Sequence, residues 1–288
     1  PRRNRRLVLA AGALAAAVVA YSAMPIGDEG PPRAAPPPGA DADAGPVLVP
    51  IAFEVNADPP AAGARLRDLA ARLADAPYDG RTGRYAYHRV KTWGDPIQAS
   101  PDGRHVMGIV SERRTWRLAD GSSRTAATPL TPQFPDRASR DYWMSRPGEL
   151  PEGKPYELAE PPSGDPATLP TDQAGIARML GGDAAGSGVA KHLVWLYSRY
   201  VVPKRTRAHV LTAVAQAPGW VWRGQVTDRA GRRGVAITFD DRANDQRSLL
   251  VFDPRTGALL AHEIVSGGLR EVSTYVVILE TARTNQPR

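Results

Sequence analysis

The spacing of apolar and polar residues divides the chain into a strand-forming beginning, a helical middle and a strand-forming end. In "RYAYHRVKTW" (84–93) aromatic and β-branched residues dominate, and Tyr85, Tyr87 and Trp93 share one parity, which predicts a half-buried strand. A Pro101-Asp102-Gly103 turn leads into "HVMGIVSERRTWRL", and Asp120-Gly121 returns the chain as a hairpin into "SSRTAATPL". From Thr131 to Pro170 prolines recur every few residues, predicting a long irregular crossover with one short strand at Tyr156-Glu157-Leu158.

Helical spacing occupies other stretches. Asp58 as N-cap and Pro59 at the first position predict a helix with Leu66, Leu69 and Leu73 on one face. Thr171 is placed to cap "DQAGIARML", which Gly181-Gly182 ends. Val189, Leu193, Leu196 and Tyr200 form the stripe of a second helix ending before Pro203. Val210, Leu211 and Val214 mark a third, stopped by Pro218-Gly219. The remainder reads as a meander: "WVWRGQVT", "RGVAITF", "RSLLVFD", "ALLAHEIV" and "STYVVILETA", each followed by turn residues or the chain end. Leu249–Phe252 and Tyr275–Leu279 are apolar on both parities, so burial on both faces is expected there.

Strands, then helices, then strands predict an α+β fold. The expected architecture is one strongly curved antiparallel sheet, a half-barrel, with the helices on its concave face. The helical middle is too short to stand as a domain and its stripes need an apolar surface to cover.

The first residues add a membrane. Four arginines (Arg2, Arg3, Arg5, Arg6) precede eighteen uncharged residues, Leu7 to Met24. As a helix that run covers about 27 Å, close to a hydrocarbon core of about 30 Å. Basic residues before it and Asp28-Glu29 after it predict a cytoplasmic N-terminus and an extracytoplasmic bulk. Residues 1–6 then form a basic cytoplasmic flank and 7–26 an uncleaved plasma-membrane anchor. A Pro/Ala-rich linker occupies 27–48 and an extracytoplasmic α+β domain 49–288. The alternative is a cleaved export signal, for which Ala20-Tyr21-Ser22 is a small-x-small site and the paired arginines a twin-arginine motif.

Charge and cysteine content narrow the chemistry. Of the net +7, four charges belong to the flank, leaving +3 for the rest, too dispersed for a nucleic-acid stripe. The chain has no cysteine, which removes disulfides, thiolate catalysis, Cys-ligated zinc and a lipidated anchor. His88, His105, His192, His209 and His262 lack metal-ligand spacing: His262-Glu263 begins an H-E-x-x-H motif, but Ser266 stands at the second histidine. They read as strand histidines on a partly exposed face. Asp240, Asp241 and Asp245 read as hairpin-turn chemistry. "GGDAAGSG" (181–188) lacks a phosphate-loop lysine and reads as an interhelical linker. No catalytic residue, cofactor or metal is assigned.

Four short motifs carry a resemblance: Leu169-Pro170-Thr171-Asp172 opening a helix, Ala217-Pro218-Gly219 before a strand, Gly231-Arg232-Arg233-Gly234-Val235-Ala236, and Phe252-Asp253-Pro254-Arg255-Thr256-Gly257. Over about residues 80–283 the chain resembles an actinobacterial family of single-pass, membrane-anchored extracytoplasmic proteins of unassigned function. These are often encoded beside extracytoplasmic-function sigma factors. The resemblance implies a cytoplasmic segment before Pro1 and carries over no catalytic residue. More loosely, the predicted architecture is similar to lipoprotein carriers and periplasmic sigma-pathway sensors, with a half-barrel and helical plug.

Aromatic residues supply the candidate site. Tyr85, Tyr87, Trp93, Trp116, Trp220, Trp222 and Phe239 lie on predicted strands, with Leu193, Leu196 and Tyr200 on the facing helix. Together they are the expected lining of a hydrophobic cavity; filling an ordinary core is the alternative. The sequence is thus read as a non-catalytic, membrane-tethered sensor or binding domain. Its partner is a lipid or other hydrophobic ligand, or an envelope protein, with a sigma-factor link implied by the resemblance. The alternatives are an envelope interaction module without a ligand, or an envelope hydrolase with a scattered site.

Overall fold

The computed structural model describes residues 47–53, 58–73, 82–94, 97–150, 153–164, 168–182, 186–266 and 271–286. The predicted anchor at 7–26 and the linker up to residue 46 lie outside them. Among the described residues no helix is long and apolar enough to cross a membrane.

The order is α1 (Gly63–Arg72), β1 (Tyr85–Trp93), β2 (Ile97–Ala99), β3 (Val106–Gly108), β4 (Ser111–Arg117), β5 (Ser123–Pro129), α2 (Arg137–Met144), β6 (Tyr156–Glu160), α3 (Gln173–Met179), α4 (Gly186–Arg199) and α5 (Lys204–Gln216). The meander follows as β7 (Val221–Thr227), β8 (Arg233–Asp241), β9 (Gln246–Phe252), β10 (Leu259–Ser266) and β11 (Glu271–Thr284). Nine strands form one sheet in the order β6-β5-β4-β1-β11-β10-β9-β8-β7, and β2-β3 form a separate ribbon. Every neighbouring pair is antiparallel, and β1 lies beside β11 from Tyr85↔Thr284 to Trp93↔Tyr275. The two predicted strand groups therefore belong to one sheet.

That sheet is open and not strongly curled, which corrects the expected half-barrel. The physical reason lies in its second face. A half-barrel hides one concave face, but β9 is buried throughout Leu249–Phe252, and both faces of β8–β11 are covered. On one side, here the helix face, Val235, Ile237, Leu250, Phe252 and Ile278 pack against α1, α3, α4 and α5. Helix α4 crosses β8, β9, β10, β11 and β1. Its first residue is necessarily small, since a Cβ on Gly186 would overlap the Phe239 ring. Gly186 to Gly188, predicted as linker, thus belong to α4.

The opposite side is covered by the start of the described chain, a strap at 47–53. Leu48 and Ile51 join Trp93, Ala236, Leu249, Val251, Tyr275 and Val277 in a second apolar cluster. Val47 bridges Phe134, and the Leu48 amide donates to the Phe134 carbonyl over 2.8 Å. The chain then edges β7: Trp222 N–H donates to Pro60 O, Ala62 N–H donates to Trp220 O, and Ala61 bridges Val221. These edge bonds explain why α1 starts at Gly63, not at the expected Pro59.

Three local departures from expectation have clear causes. The strand predicted across 105–118 breaks at Gly108, where a Cβ would overlap the Trp93 indole, so the large ring is seated where the backbone is bare. The predicted crossover contains α2, capped by the Asp136 carboxylate, which accepts from Ser139 N–H over 2.7 Å. At α3 the cap is Asp172, one residue beyond the expected Thr171.

Candidate interaction surface

The ten residues expected to line one cavity are divided by the sheet. Leu193, Leu196, Tyr200, Trp220, Trp222 and Phe239 belong to or pack on the helix-face cluster, with the Trp220 and Phe239 rings 5.6 Å apart. Trp93 belongs to the strap-face cluster, stacked on Tyr275 at 6.4 Å. Tyr85, Tyr87 and Trp116 form a small cluster with Ala282, Tyr87 and Trp116 being 5.4 Å apart. Registry puts that cluster on the strap face: Val90 pairs with Ile278 of the helix face, so Tyr87 and Arg89 point the other way. These ten side chains do not share one space.

Two histidines are far more buried than expected. His88 on β1 and His262 on β10 are 1% and 4% exposed, both on the helix face, which corrects their predicted partial exposure. Burial pulls each imidazole down to about 4; the Tyr200 backbone opposes this at His88, and Lys191 reinforces it at His262. Both are neutral at ordinary pH, and Nε2 of His262 has no hydrogen-bond partner among the described residues.

On the strap face the buried group is Glu263, 0% exposed. Its Oε2 accepts from Arg229 Nε over 2.7 Å, and its Oε1 accepts from the Ile51 amide over 2.8 Å. Arg229 also donates to the Val49 carbonyl over 2.9 Å and lies 4.8 Å above the Tyr275 ring. Burial raises the Glu263 carboxyl, with Arg229 pulling against it. Phe53 continues the strap beneath the guanidinium groups of Arg223 and Arg247, at 4.9 and 5.8 Å. Sequence reading missed this clamp because its members are spread from position 49 to 275 and only folding brings them together. His262-Glu263, set aside as an incomplete metal motif, holds a structural carboxylate that fastens the strap at 47–53.

What remains open is the other end of the sheet. The helical layer reaches β1, and β4, β5 and β6 extend beyond it as a wing. Row by row on the helix face, His88 pairs with Thr115, Thr115 with Thr125, and Thr125 with Leu158. The Thr115 and Thr125 hydroxyls hydrogen-bond at 3.0 Å, tying the wing together. β6 is exposed along its whole length, and Tyr156 and Leu158, 44% and 43% exposed, stand on this same face. Its acids are engaged inward. Glu160 accepts from Ser123 Oγ over 2.6 Å and pairs with Arg117 at 3.2 Å; the Ser123 hydroxyl and Arg117 hold its carboxyl below the usual range against the effect of burial. Glu157 pairs with Arg124 at 2.7 Å on the opposite face. Since Ala61 already pairs with the β7 edge, β6 is the sheet edge left without a strand partner among the described residues.

Of the wing, the sequence signalled Tyr156-Glu157-Leu158 as a strand, but gave no sign that it would be the outermost one. Among the described residues no group of three or more His, Asp or Glu side chains is placed to hold a metal ion.

No family model and no curated protein matches the chain. Among solved structures it is similar to the crystal structure of MucB, with 12% identity and a TM-score of 0.34, covering 78% of this chain and 61% of that one. For MucB in complex with MucA(peri) the identity is 14%, the TM-score 0.31, and the coverage 77% and 56%. For the Pseudomonas aeruginosa MucA/MucB complex the identity is 14%, the TM-score 0.31, and the coverage 77% and 59%. The chain thus spans less than two thirds of the length of the MucB chains it is similar to.

Proposed function

We propose that this chain is a non-catalytic binding domain, held at the outer face of the plasma membrane by residues 7–26, that engages a protein partner through the β4–β5–β6 wing. The observation that carries this reading is the exposure of Tyr156 and Leu158 together on an edge strand beyond the helical layer. Paired exposed apolar side chains on a hydrogen-bonding edge are the surface a protein ligand uses. The titratable groups inside the fold support a non-catalytic role: His88 and His262 are buried in the core, and Glu263 is engaged by Arg229 and the strap amide. The sequence resemblance supplies the setting, an extracytoplasmic branch of sigma-factor signalling.

A photoreactive phenylalanine analogue placed at Leu158 in the full-length protein tests this, with the exposed Arg205 on α5 as the control position. The expected result is a discrete protein adduct in intact cells from position 158 and none from 205. No adduct from 158, or the same pattern from both positions, overturns the reading.

A further inference from the structure

The edge strand specifies its occupant more closely than "a protein". Pro155 precedes it and Pro161-Pro162 follow, residues with no amide hydrogen to donate to a ladder. An added strand therefore has only Tyr156 to Glu160 to pair with. That five-residue window, YELAE, is complementary to itself.

We propose that β6 pairs antiparallel with β6 of a second copy of this chain, centred on Leu158, so that two sheets join edge to edge about a two-fold axis. This rests on the reading of the wing as the interaction surface and names what it binds. In the Leu158-centred register all five residues find partners: Leu158 meets Leu158, Tyr156 meets Glu160, and Glu157 meets Ala159. No like charges are opposed, which is the condition for a stable cross-strand row. On the helix face the central row becomes Thr125, Leu158, Leu158, Thr125, an apolar centre between hydroxyls. In the flanking rows the Tyr156 phenol of one copy lies across from the Glu160 carboxylate of the other, a donor facing an acceptor.

The opposite face is complementary too. Arg124 lies beside its own Ala159, and the next residue in that row is Glu157 of the second copy. Two strand spacings are about 10 Å, within the reach of an arginine side chain crossing a methyl group. Each Arg124 thus bridges its own Glu157 and that of the second copy. Other registers fail. A slip of one residue sets the helix face of one copy against the strap face of the other. A slip of two drops two of the five pairs, and in one direction it opposes Glu157 to Glu157.

Five residues a side form an interface well below the standard ~1,600 Å², so the isolated domain should dimerise only weakly. Confinement of both copies to one membrane supplies the missing effective concentration. The chain has no cysteine, so every introduced thiol is unique. In the full-length, membrane-embedded protein, Leu158→Cys should give a dimer on mild oxidation or with a short bis-maleimide, and Arg205→Cys should not. Mixing Glu157→Cys with Ala159→Cys chains should give at least several-fold more dimer than either alone, which reads the register. Leu158 is exposed, and unchanged thermal unfolding of the cysteine chain confirms that it folds. No homodimer from any of the three, together with a photo-adduct from position 158 to a different protein, overturns self-pairing and leaves the wing as an interaction surface. Absence of both adducts removes both readings.

Discussion

Replacing His262 with leucine should flatten the acid sensitivity of this domain by an amount the structure fixes. His88 and His262 are both buried and shifted from an ordinary 6.5 to about 4. In the unfolded chain each takes up a proton as pH falls below about 6.5, while in the folded chain it stays neutral until about 4. The folded state is therefore at full stability above the unfolded value and loses it as pH falls toward the folded one. At about pH 5 each histidine costs about 2 kcal/mol relative to neutral pH, and below pH 4 about 3 kcal/mol, from roughly 1.4 kcal/mol per pKa unit. Two such groups draw on a total that is only ~5–15 kcal/mol for a domain. Glu263 and Glu271, whose carboxyls burial raises, act in the other sense: their contribution is full below the unfolded value and lost as pH rises through the folded one. They offset part of the raw slope, so the difference between variant and parent is the informative quantity. Urea unfolding of both at about pH 7.5 and about pH 5 should show the His262→Leu protein gaining about 2 kcal/mol on its parent across that interval. Parallel stability curves, or the His262 imidazole itself titrating near 6.5 by NMR, would refute the reasoning.

Arg229→Met should destabilise the domain by ~3–5 kcal/mol near neutral pH, because it leaves the Glu263 carboxylate buried and unpaired. That loss should shrink as pH falls and Glu263 protonates; an equal loss at about pH 5 and about pH 8 by urea titration would acquit the carboxylate. Leu193→Ala should cost ~2–5 kcal/mol in thermal unfolding, since Leu193 is fully buried among α4's contacts with the sheet. Saturable quenching of tryptophan by a fluorescent fatty acid in the parent protein would restore a ligand cavity. The full-length protein should stay in the membrane pellet after carbonate washing, and a soluble product beginning near Ala23 would replace the anchor with a cleaved signal.

Where local chemistry decides structure, the sequence was legible. The parity of Tyr85, Tyr87 and Trp93, the stripe of Val189, Leu193 and Leu196, and the two-sided apolar run at Leu249–Phe252 each foretold what the structure contains. The joining of the first strand group to the last followed from the same logic, since exposed stripes demand a common sheet. Partner identity was not legible. Nothing in Leu48 or Ile51 says that they cover a sheet, so its second layer was missed and curvature was invoked to bury what the strap buries. Prolines at 135 and 147 masked α2, although Asp136 three residues before Ser139 was the cue for its start. The candidate cavity failed for a related reason: parity assigns a residue to one of two faces, but only the register of β1 against β11 tells which face.

The strap also has a consequence for the order of assembly. Ile51 and Glu263 are 212 positions apart, and β1 rests along β11. The earliest described residues to leave the ribosome must therefore wait for the last strands before they have anything to lie against. Contacts of such sequence separation close slowly. During that interval the apolar residues of β8–β11 are bare on the side the strap will cover. Anything that binds exposed strands, whether a chaperone or another nascent copy, meets this protein in that interval, and docking of residues 47–53 brings it to an end.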